Sequence, residues 1–506
     1  MQQSILKLHD SDNVAVALRD LHSGEVLPDN IVIRDNVPRG HKVAVAGIAP
    51  GERVCKYNHV IGSATIAIQA GDHVHLHNLG MREHVVADEG IRERSVVDDK
   101  APSDYLTFMG YRRSDGKVAT RNYIGILPSV NCAASVSRFI ADEVRARGVL
   151  SRYSHIDGIV AVSHGLGCGV AARGEGLEIL QRTLAGYARQ PNFGGALVVG
   201  LGCEVNQTDR LFESQGLAAG ARLRAFDIQD VGGTQAAVEA GVQQIAELAP
   251  LIDSARRERV PVSDLVLALQ CGGSDGFSGI TANPALGVAS DLIVRHGGTV
   301  ILSETPEIYG AESLLIARAD TPVVAEKLIA RIHWWENYAR VTGTDLDNNP
   351  SPGNHEGGLT TILEKSLGAI AKAGSTRLTD VIQYAEPIAT KGFVFMDSPG
   401  YDPCAVTGQV ASGATIICFT TGRGSVSGFK PVPCVKIATN SEMFRRMEGD
   451  MDLDCGAIVG AEKSVAQVGR EIFELLIATA SGHKVKSERF GFGDHEIVPW
   501  HVGATV

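Results

Sequence analysis

The chain has 506 residues, 44% of them hydrophobic and 21% charged, and a formal net charge of −11. That length exceeds what one hydrophobic core supports, so two or three globular domains are expected, and the negative balance excludes nucleic acid as the main partner while leaving a small anion met by local arginines open. No apolar run is long enough to cross a bilayer and the first residues lack the pattern of a signal peptide, so nine cysteines read as cytosolic thiols and the expected compartment is the cytoplasm.

Residues 1–90 read as β-rich, with short strand-prone runs at Val14–Leu18, Ile31–Ile33, Lys42–Ala46 and Val54–Tyr57 between Gly and Pro turn signals. Residues 91–108, rich in charge and nearly free of aromatics, read as a linker. From there strands alternate with helices. A domain over 109–255 shows buried-strand runs at Tyr123–Leu127, Gly158–Val162 and Ala196–Val199, with helical stretches at Ser135–Val149 and Leu177–Arg189. Another, over 256–506, shows strands at Leu265–Leu269, Val300–Leu302, Gly392–Met396, Thr415–Phe419 and Val435–Ala438, and a helix over Val323–Tyr338. The alternation predicts α/β domains with mainly parallel sheets behind an all-β N-terminal domain.

Three sets of residues stand out for chemistry. Cys132, Cys168, Cys203 and Cys271 each follow a strand run, with glycine beside most of them, where an open parallel sheet binds its ligands. Soft thiolates favour iron or an iron–sulfur centre over magnesium. The plain alternative for each is a small buried apolar residue. His73, His75 and His77 alternate, so on a strand all three rings share one face and suit metal binding or acid–base work, against the plain alternative of a solvated edge strand. His9 and His41 stand in polar turns of the same domain, and His164 precedes Cys168. In the C-terminal half, the donor-rich loop QCGGSDGFSGITANP carries Ser274, Asp275 and Asn283, and Asn354 closes the rigid polar loop NPSPGN. Arg423, flanked by glycines, offers a fork for a carboxylate, and Glu304 and Glu307 follow a strand as ligand or base candidates. No phrase completes G-x-G-x-x-G, so a dinucleotide site is excluded.

Taken together, GYRRSDGKVATRN, GLGCE, QCGGSDGFSGITANP, NPSPGN, TTGRG and KIATNSE resemble the altronate dehydratase and galactarate dehydratase family over nearly the whole chain. The resemblance implies a β-clip (SAF-type) N-terminal domain and dehydration of a hexonic or hexaric acid to a 2-keto-3-deoxy acid. It also implies dependence on Fe2+, sometimes served by Mn2+. HVHLHN and MDSPGYDPCAVTGQV favour the altronate branch over galactarate dehydratase. A third branch, sulfolactate sulfo-lyase, usually splits these domains over two chains. The expected roles are His9 or His41 as acid and base, with His75 and His77 lining the site. Cys132, Cys168, Cys203 and Cys271 are the expected metal ligands, with Glu204 or Glu304. Arg423 is expected to clamp a carboxylate, with Ser274, Asp275, Asn283 and Asn354 around the substrate. A [4Fe–4S] cluster on three cysteines is the competing metal state. The expected partner is a small sugar acid bound by a homo-oligomer, with no membrane involved; a non-catalytic sugar-acid sensor is the reading from another class.

Overall fold

A computed structural model describes residues 3–81, 84 and 106–505. The linker expected over 91–108 lies outside the described residues except for its last three positions.

The N-terminal domain is built from two small antiparallel sheets. One has the order β1 (Ile5–Leu6), β2 (Val14–Ala17), β3 (Lys42–Ala44) and β6 (His73–Val74); the other joins β4 (Arg53–Lys56), β5 (His59–Ala64) and β7 (Leu79–Gly80). The run Ile31–Ile33 contributes only an isolated bridge, Val26 to Val32. The expected histidine strand stops at Val74, and His75 and His77 lie in the turn that follows. The Asn78 side chain shapes that turn, accepting from His75 N at 2.9 Å and donating to His73 O at 2.9 Å, so the backbone bends before a third alternation is possible.

Two parallel sheets follow. The smaller has the order β11 (Gly158–Ala161), β10 (Tyr123–Pro128), β12 (Phe193–Gly200) and β13 (Leu223–Asp227). Continuous apolar strands suit burial on both faces. Helices Ala134–Ala146 and Thr234–Asp253 cover one face through Ile140, Ile245 and Leu248. An antiparallel ribbon of β14 (Arg257–Pro261), β8 (Thr107–Arg112) and β9 (Val118–Ala119) leads onward. The larger sheet is parallel throughout, in the order β17 (Leu378–Ile382), β18 (Gly392–Met396), β16 (Thr299–Leu302), β15 (Val266–Cys271), β19 (Ile416–Thr421), β20 (Cys434–Ala438) and β21 (Leu453–Asp454). Helices Ala282–Arg295 and Val465–Ala480 pack on one of its faces.

The second faces of the two parallel sheets share one core. Tyr123, Val160, Tyr187 and Phe193 from the smaller sheet's side lie in one apolar cluster with Ile301, Val394, Phe419, Tyr384 and Trp500 from the larger one's. Helix Glu175–Ala188 packs on helix Asp402–Ser412 between them. Gly186 is required there, because a Cβ would sit 2.3 Å from Ala411 O. Polar seams fix the pairing: Thr120 Oγ1 donates to Thr415 O at 2.6 Å, and Gln190 Nε2 donates to Val410 O at 2.7 Å. No helix among the described residues is long and apolar enough to cross a membrane.

The N-terminal domain docks on helix Ile362–Ile370 of the larger α/β unit through charge. Lys42 Nζ and Lys56 Nζ each lie 2.8 Å from a different oxygen of Glu364, and all three side chains are at most 1% exposed. Lys42 Nζ also donates to Gly358 O at 2.7 Å, and Thr361 Oγ1 donates to Ile61 O. Burial works against it, but the charges of Lys42 and Lys56 hold Glu364 well below the ordinary carboxylate range.

Candidate active site

The seam between these two units carries the imidazoles. His41, next to β3, and His73, in β6, face each other with Nδ1 and Nε2 3.0 Å apart. The His75 ring stacks on His41 at 5.0 Å between centroids, and His77 lies 5.5 Å from His73. The short helix Pro352–Glu356 of the opposite unit closes the cluster: His41 Nε2 meets Glu356 O at 3.1 Å and His75 Nε2 meets His355 O at 2.9 Å. A carbonyl only accepts, so both rings carry their proton on Nε2; His41 Nδ1 then accepts from His73 Nε2, and His75 presents an Nδ1 lone pair. Burial and neighbouring positive charge keep the rings neutral, lowering His75 to about 4 and His73 to about 3, and His41 is also lowered, chiefly by burial.

Beside His41 a cleft of about 130 Å³ opens between the units, lined by Arg39, Gly40, Asp275, Glu356, Arg423 and Arg446 among others. Its cations are lightly held. Arg423 Nη2 pairs with Glu356 at 2.8 Å, with both side chains well exposed, and Arg39 pairs with Glu442 at 3.3 Å. Exposed pairs of this kind contribute little and yield readily to a better-placed carboxylate. Asp275 forms the buried floor, accepting from Thr439 Oγ1 at 3.0 Å and Asn440 Nδ2 at 3.1 Å, with its carboxyl raised by burial.

A second polar cluster fills the carboxyl end of β15 and β16. Lys372 Nζ lies 2.7 Å from Cys271 Sγ, and Lys365 Nζ lies 2.7 Å from Glu307 and 2.6 Å from Asn349 Oδ1. Gln270 Nε2 donates to Asp402 at 2.9 Å. Glu304 is 1% exposed, its Oε1 has no hydrogen-bond partner, and its backbone is left-handed at φ 75°. Such strain in a non-glycine residue, beside an orphaned buried oxygen, is characteristic of functional positions. Burial and the Glu307 charge raise Glu304 well above the carboxylate range. Burial pushes Asp402 up to about 6 and the Cys271 thiol up to about 11.

Several expected residues fall elsewhere. Cys271 belongs to the larger sheet, and the ammonium against its sulfur takes the place a cation would need. Cys132, Cys168 and Cys203 stay together on the smaller sheet and are exposed. His9 is exposed in a turn capped by Asp12, its ring engages Ser11 at 2.7 Å, and no described ring contact joins it to the cluster. Asn283 spends both amide ends inside the core, donating to Gly368 O and accepting from Thr420 Oγ1. Asn354 likewise ties the Ser351 cap to Ser274 O, which also places Ser274 as loop support. His164 is buried against Pro128 O at 2.8 Å. Lys365, Lys372 and Asp402 were not singled out from the sequence. Lys365 lies on the apolar helix Ile362–Ile370 and Lys372 just after it, where sequence alone does not show the groups they meet.

Among the described residues no group of three or more His, Cys, Asp or Glu side chains is placed to hold a metal ion. The imidazoles of the seam are nonetheless of the donor type that divalent metals take, and His41 and His73 bring two ring nitrogens to 3.0 Å. His41 has its other nitrogen fixed by a backbone carbonyl, as ligating histidines usually do.

Three family models together match most of the chain. Residues 3–82 match the altronate/galactarate dehydratase SAF domain, residues 110–253 the second domain of D-galactarate dehydratase/altronate hydrolase, and residues 262–505 the C-terminal domain of D-galactarate/altronate dehydratase. The altronate dehydratase of Bacillus subtilis (strain 168) is 36% identical over 496 residues, 97% of either chain. The L-threo-forming galactarate dehydratase of Escherichia coli (strain K12) is 38% identical over 488 residues, 95% of this chain and 93% of that one. The altronate dehydratase of the same organism is 36% identical over 510 residues, 99% of each. The chain belongs to the altronate/galactarate dehydratase family.

Proposed function

We propose that the chain is a hydro-lyase that removes water from a sugar acid, with altronate the first candidate and galactarate the second. The observation that carries this reading is the seam itself, where a cluster of neutral imidazoles is tied through His41 to Glu356, a wall residue of a cleft lined by exchangeable arginines. The identities of 36% and 38% do not separate the two substrates, and the phrase HVHLHN is what favours altronate.

The substrate carboxylate displaces Glu356 from Arg423 and gains a charge-assisted, planar fork. His75 takes the proton from the carbon next to the carboxylate, its tautomer held by the His355 carbonyl. The resulting imidazolium delivers that proton to the departing 3-hydroxyl as water leaves. The enol so formed tautomerises to the 2-keto-3-deoxy acid. Fe2+, or Mn2+ in its place, would be held by His41 and His73, and when bound supplies positive charge that stabilises the enolate. Lys42, buried beside His41 and His75 with its ammonium lowered to about 8 by burial, adds positive charge to the same side while protonated. The same proposal places the protein in the cytoplasm as a homo-oligomer. Nine free thiols, three of them exposed, support a reducing compartment.

The test is to incubate anaerobically prepared, iron-loaded protein separately with D-altronate, D-galactarate and sulfolactate, and to measure keto-deoxy acid and sulfite. Keto-deoxy acid from altronate supports the proposal. Product from galactarate alone moves the substrate within the same chemistry. Sulfite from sulfolactate, or no product from any of them, overturns it.

A further inference from the structure

The polar cluster at the carboxyl end of β15 and β16 holds one contact that the dehydration does not use. Cys271 closes β15, and Lys372 follows helix Ile362–Ile370, 101 residues further along the chain. Lys372 Nζ lies 2.7 Å from Cys271 Sγ. Sulfur is a large atom, and other polar contacts to it in this protein are longer. Ser412 Oγ meets Met396 Sδ at 3.3 Å, Gln229 Nε2 meets Cys203 Sγ at 3.4 Å, and Cys404 Sγ meets the Tyr384 hydroxyl at 3.7 Å. Cys271 Sγ itself stands 3.8 Å from Glu307. The lysine nitrogen lies well inside all of these.

An ordinary ion pair does not account for that closeness. Cys271 is 2% exposed and Lys372 1%. An ammonium carries three donors and is costly to bury unless they are met. Among the described residues Lys372 Nζ donates only to the Cys271 sulfur, a weak acceptor, whereas Lys365 Nζ has both Glu307 and Asn349. Glu304, whose charge both Cys271 and Lys372 feel, leaves its Oε1 without a partner rather than turning it to the ammonium. The backbone fixes both groups in place. Cys271 is paired to Thr420 in the sheet, and Ser290 Oγ donates to Lys372 O at 2.8 Å. Helix Ala282–Arg295 packs so tightly on the Lys372 segment that a Cβ on Gly287 would sit 2.2 Å from Ala371 O.

The chemistry that fits nitrogen and sulfur at this separation is a covalent bridge through one oxygen atom. Two single bonds meeting at an oxygen span a gap of this size, whereas a direct sulfur–nitrogen bond would need the two atoms to move together. We propose that Cys271 and Lys372 form an oxidative modification site, at which hydrogen peroxide joins Sγ to Nζ through a single oxygen. A first peroxide converts the thiol to a sulfenic acid and leaves as water. The lysine nitrogen then reacts as its free amine. A second peroxide takes one hydrogen from the sulfenic O–H and one from the amine as the oxygen–nitrogen bond forms, and leaves as two waters. Sulfur and nitrogen each lose two electrons, and the two peroxides accept all four. A dithiol reverses the step, restoring thiol and amine and releasing the bridging oxygen as water. Burial disfavours the thiolate and the Lys372 charge favours it, so the reaction is slow beside that of an exposed thiol. The bridge ties the strand end that leads to Ser274 and Asp275 to the segment behind the docking helix. This site is separate from the histidine seam and does not depend on the dehydration proposed there.

The full chain, purified under reductant, is treated with hydrogen peroxide until Cys132, Cys168 and Cys203 are fully oxidised. Remaining thiols are blocked, and the digest is mapped by mass spectrometry without reduction. The expected result is a species joining the Cys271 and Lys372 peptides, heavier than the two together by about 14 Da, one oxygen gained and two hydrogens lost. It disappears after dithiothreitol, is absent from Cys271→Ser and Lys372→Met, and persists in Cys132→Ser. The map of the parent protein decides the matter even where a variant fails to fold. Cys271 recovered as a free thiol, as a sulfinic or sulfonic acid, or in a disulfide, with Lys372 unlinked, overturns the proposal. A link that has lost two hydrogens without gaining oxygen also overturns it.

Discussion

Replacing Glu364 with alanine tests how the N-terminal domain is held. Two buried ammonium groups share that one carboxylate, at 2.8 Å each. Removing it strands both charges, and breaking a buried pair by deleting one partner costs about 3–5 kcal/mol. At 1.4 kcal/mol per tenfold, the seam should open roughly 100- to 4,000-fold more often. Native-state hydrogen exchange on peptides covering β3 to β5 reads that opening as the protection these small sheets lose once the domain undocks. Lys42→Met is the informative counterpart. It leaves Lys56 and Glu364 as a balanced pair, with Glu364 Oε2 still served by Thr360, and costs chiefly the donor to the Gly358 carbonyl, about 1–2 kcal/mol. If Glu364→Ala exchanges within threefold of the parent, or no faster than Lys42→Met, the shared carboxylate is not what docks the domain and the reasoning fails.

Further outcomes follow from the same geometry. His75→Ala should lower kcat by about 100- to 10,000-fold, the usual contribution of a positioned base, with bound iron retained; full turnover would remove His75 from the mechanism. Arg423→Gln should raise KM by roughly tenfold or more through the lost charged hydrogen bond while leaving melting unchanged, and an unaltered KM counts against the carboxylate fork. Asp402 is fully buried and raised from 3.8 to about 6. Because its folded value lies above its unfolded one, its contribution to stability is complete below 3.8 and is lost as pH rises through about 6. Asp402→Asn should therefore melt higher relative to the parent at pH 7 than at pH 4, by about 3 kcal/mol, and calorimetry at both pH values gives the comparison.

The parallel strands were legible because burial on both faces leaves an unbroken apolar run, as in Tyr123–Pro128 and Ile416–Thr421. β17 was not, because an edge strand reading Leu-Thr-Asp-Val-Ile mixes polar and apolar residues. The histidines stood out by their spacing, but only His73 lies on a strand, and a turn after Val74 brings His75 and His77 beside it. Cys132, Cys168 and Cys203 share a sheet, while Cys271 matched them only in local phrasing, which carries no information about which sheet a strand joins. Asn283 and Asn354 looked like ligand donors because a donor-rich loop and a loop that braces itself have the same composition. Lys365, Lys372, Asp402 and the Lys42–Glu364–Lys56 clamp were invisible, since each acquires meaning only from a partner distant in the chain.

The apolar cluster shared by the two parallel sheets has a consequence for how the chain is made. Tyr187 and Phe193 leave the ribosome roughly 300 residues before Trp500, an interval of about 15–60 s at ordinary rates of synthesis. Until Phe419 and Trp500 arrive, the smaller sheet shows water a greasy face that no later rearrangement of its own residues can cover. The nascent chain therefore passes through a long window of stickiness, and its yield in a cell should depend on holding chaperones and on translation speed through the second half of the message.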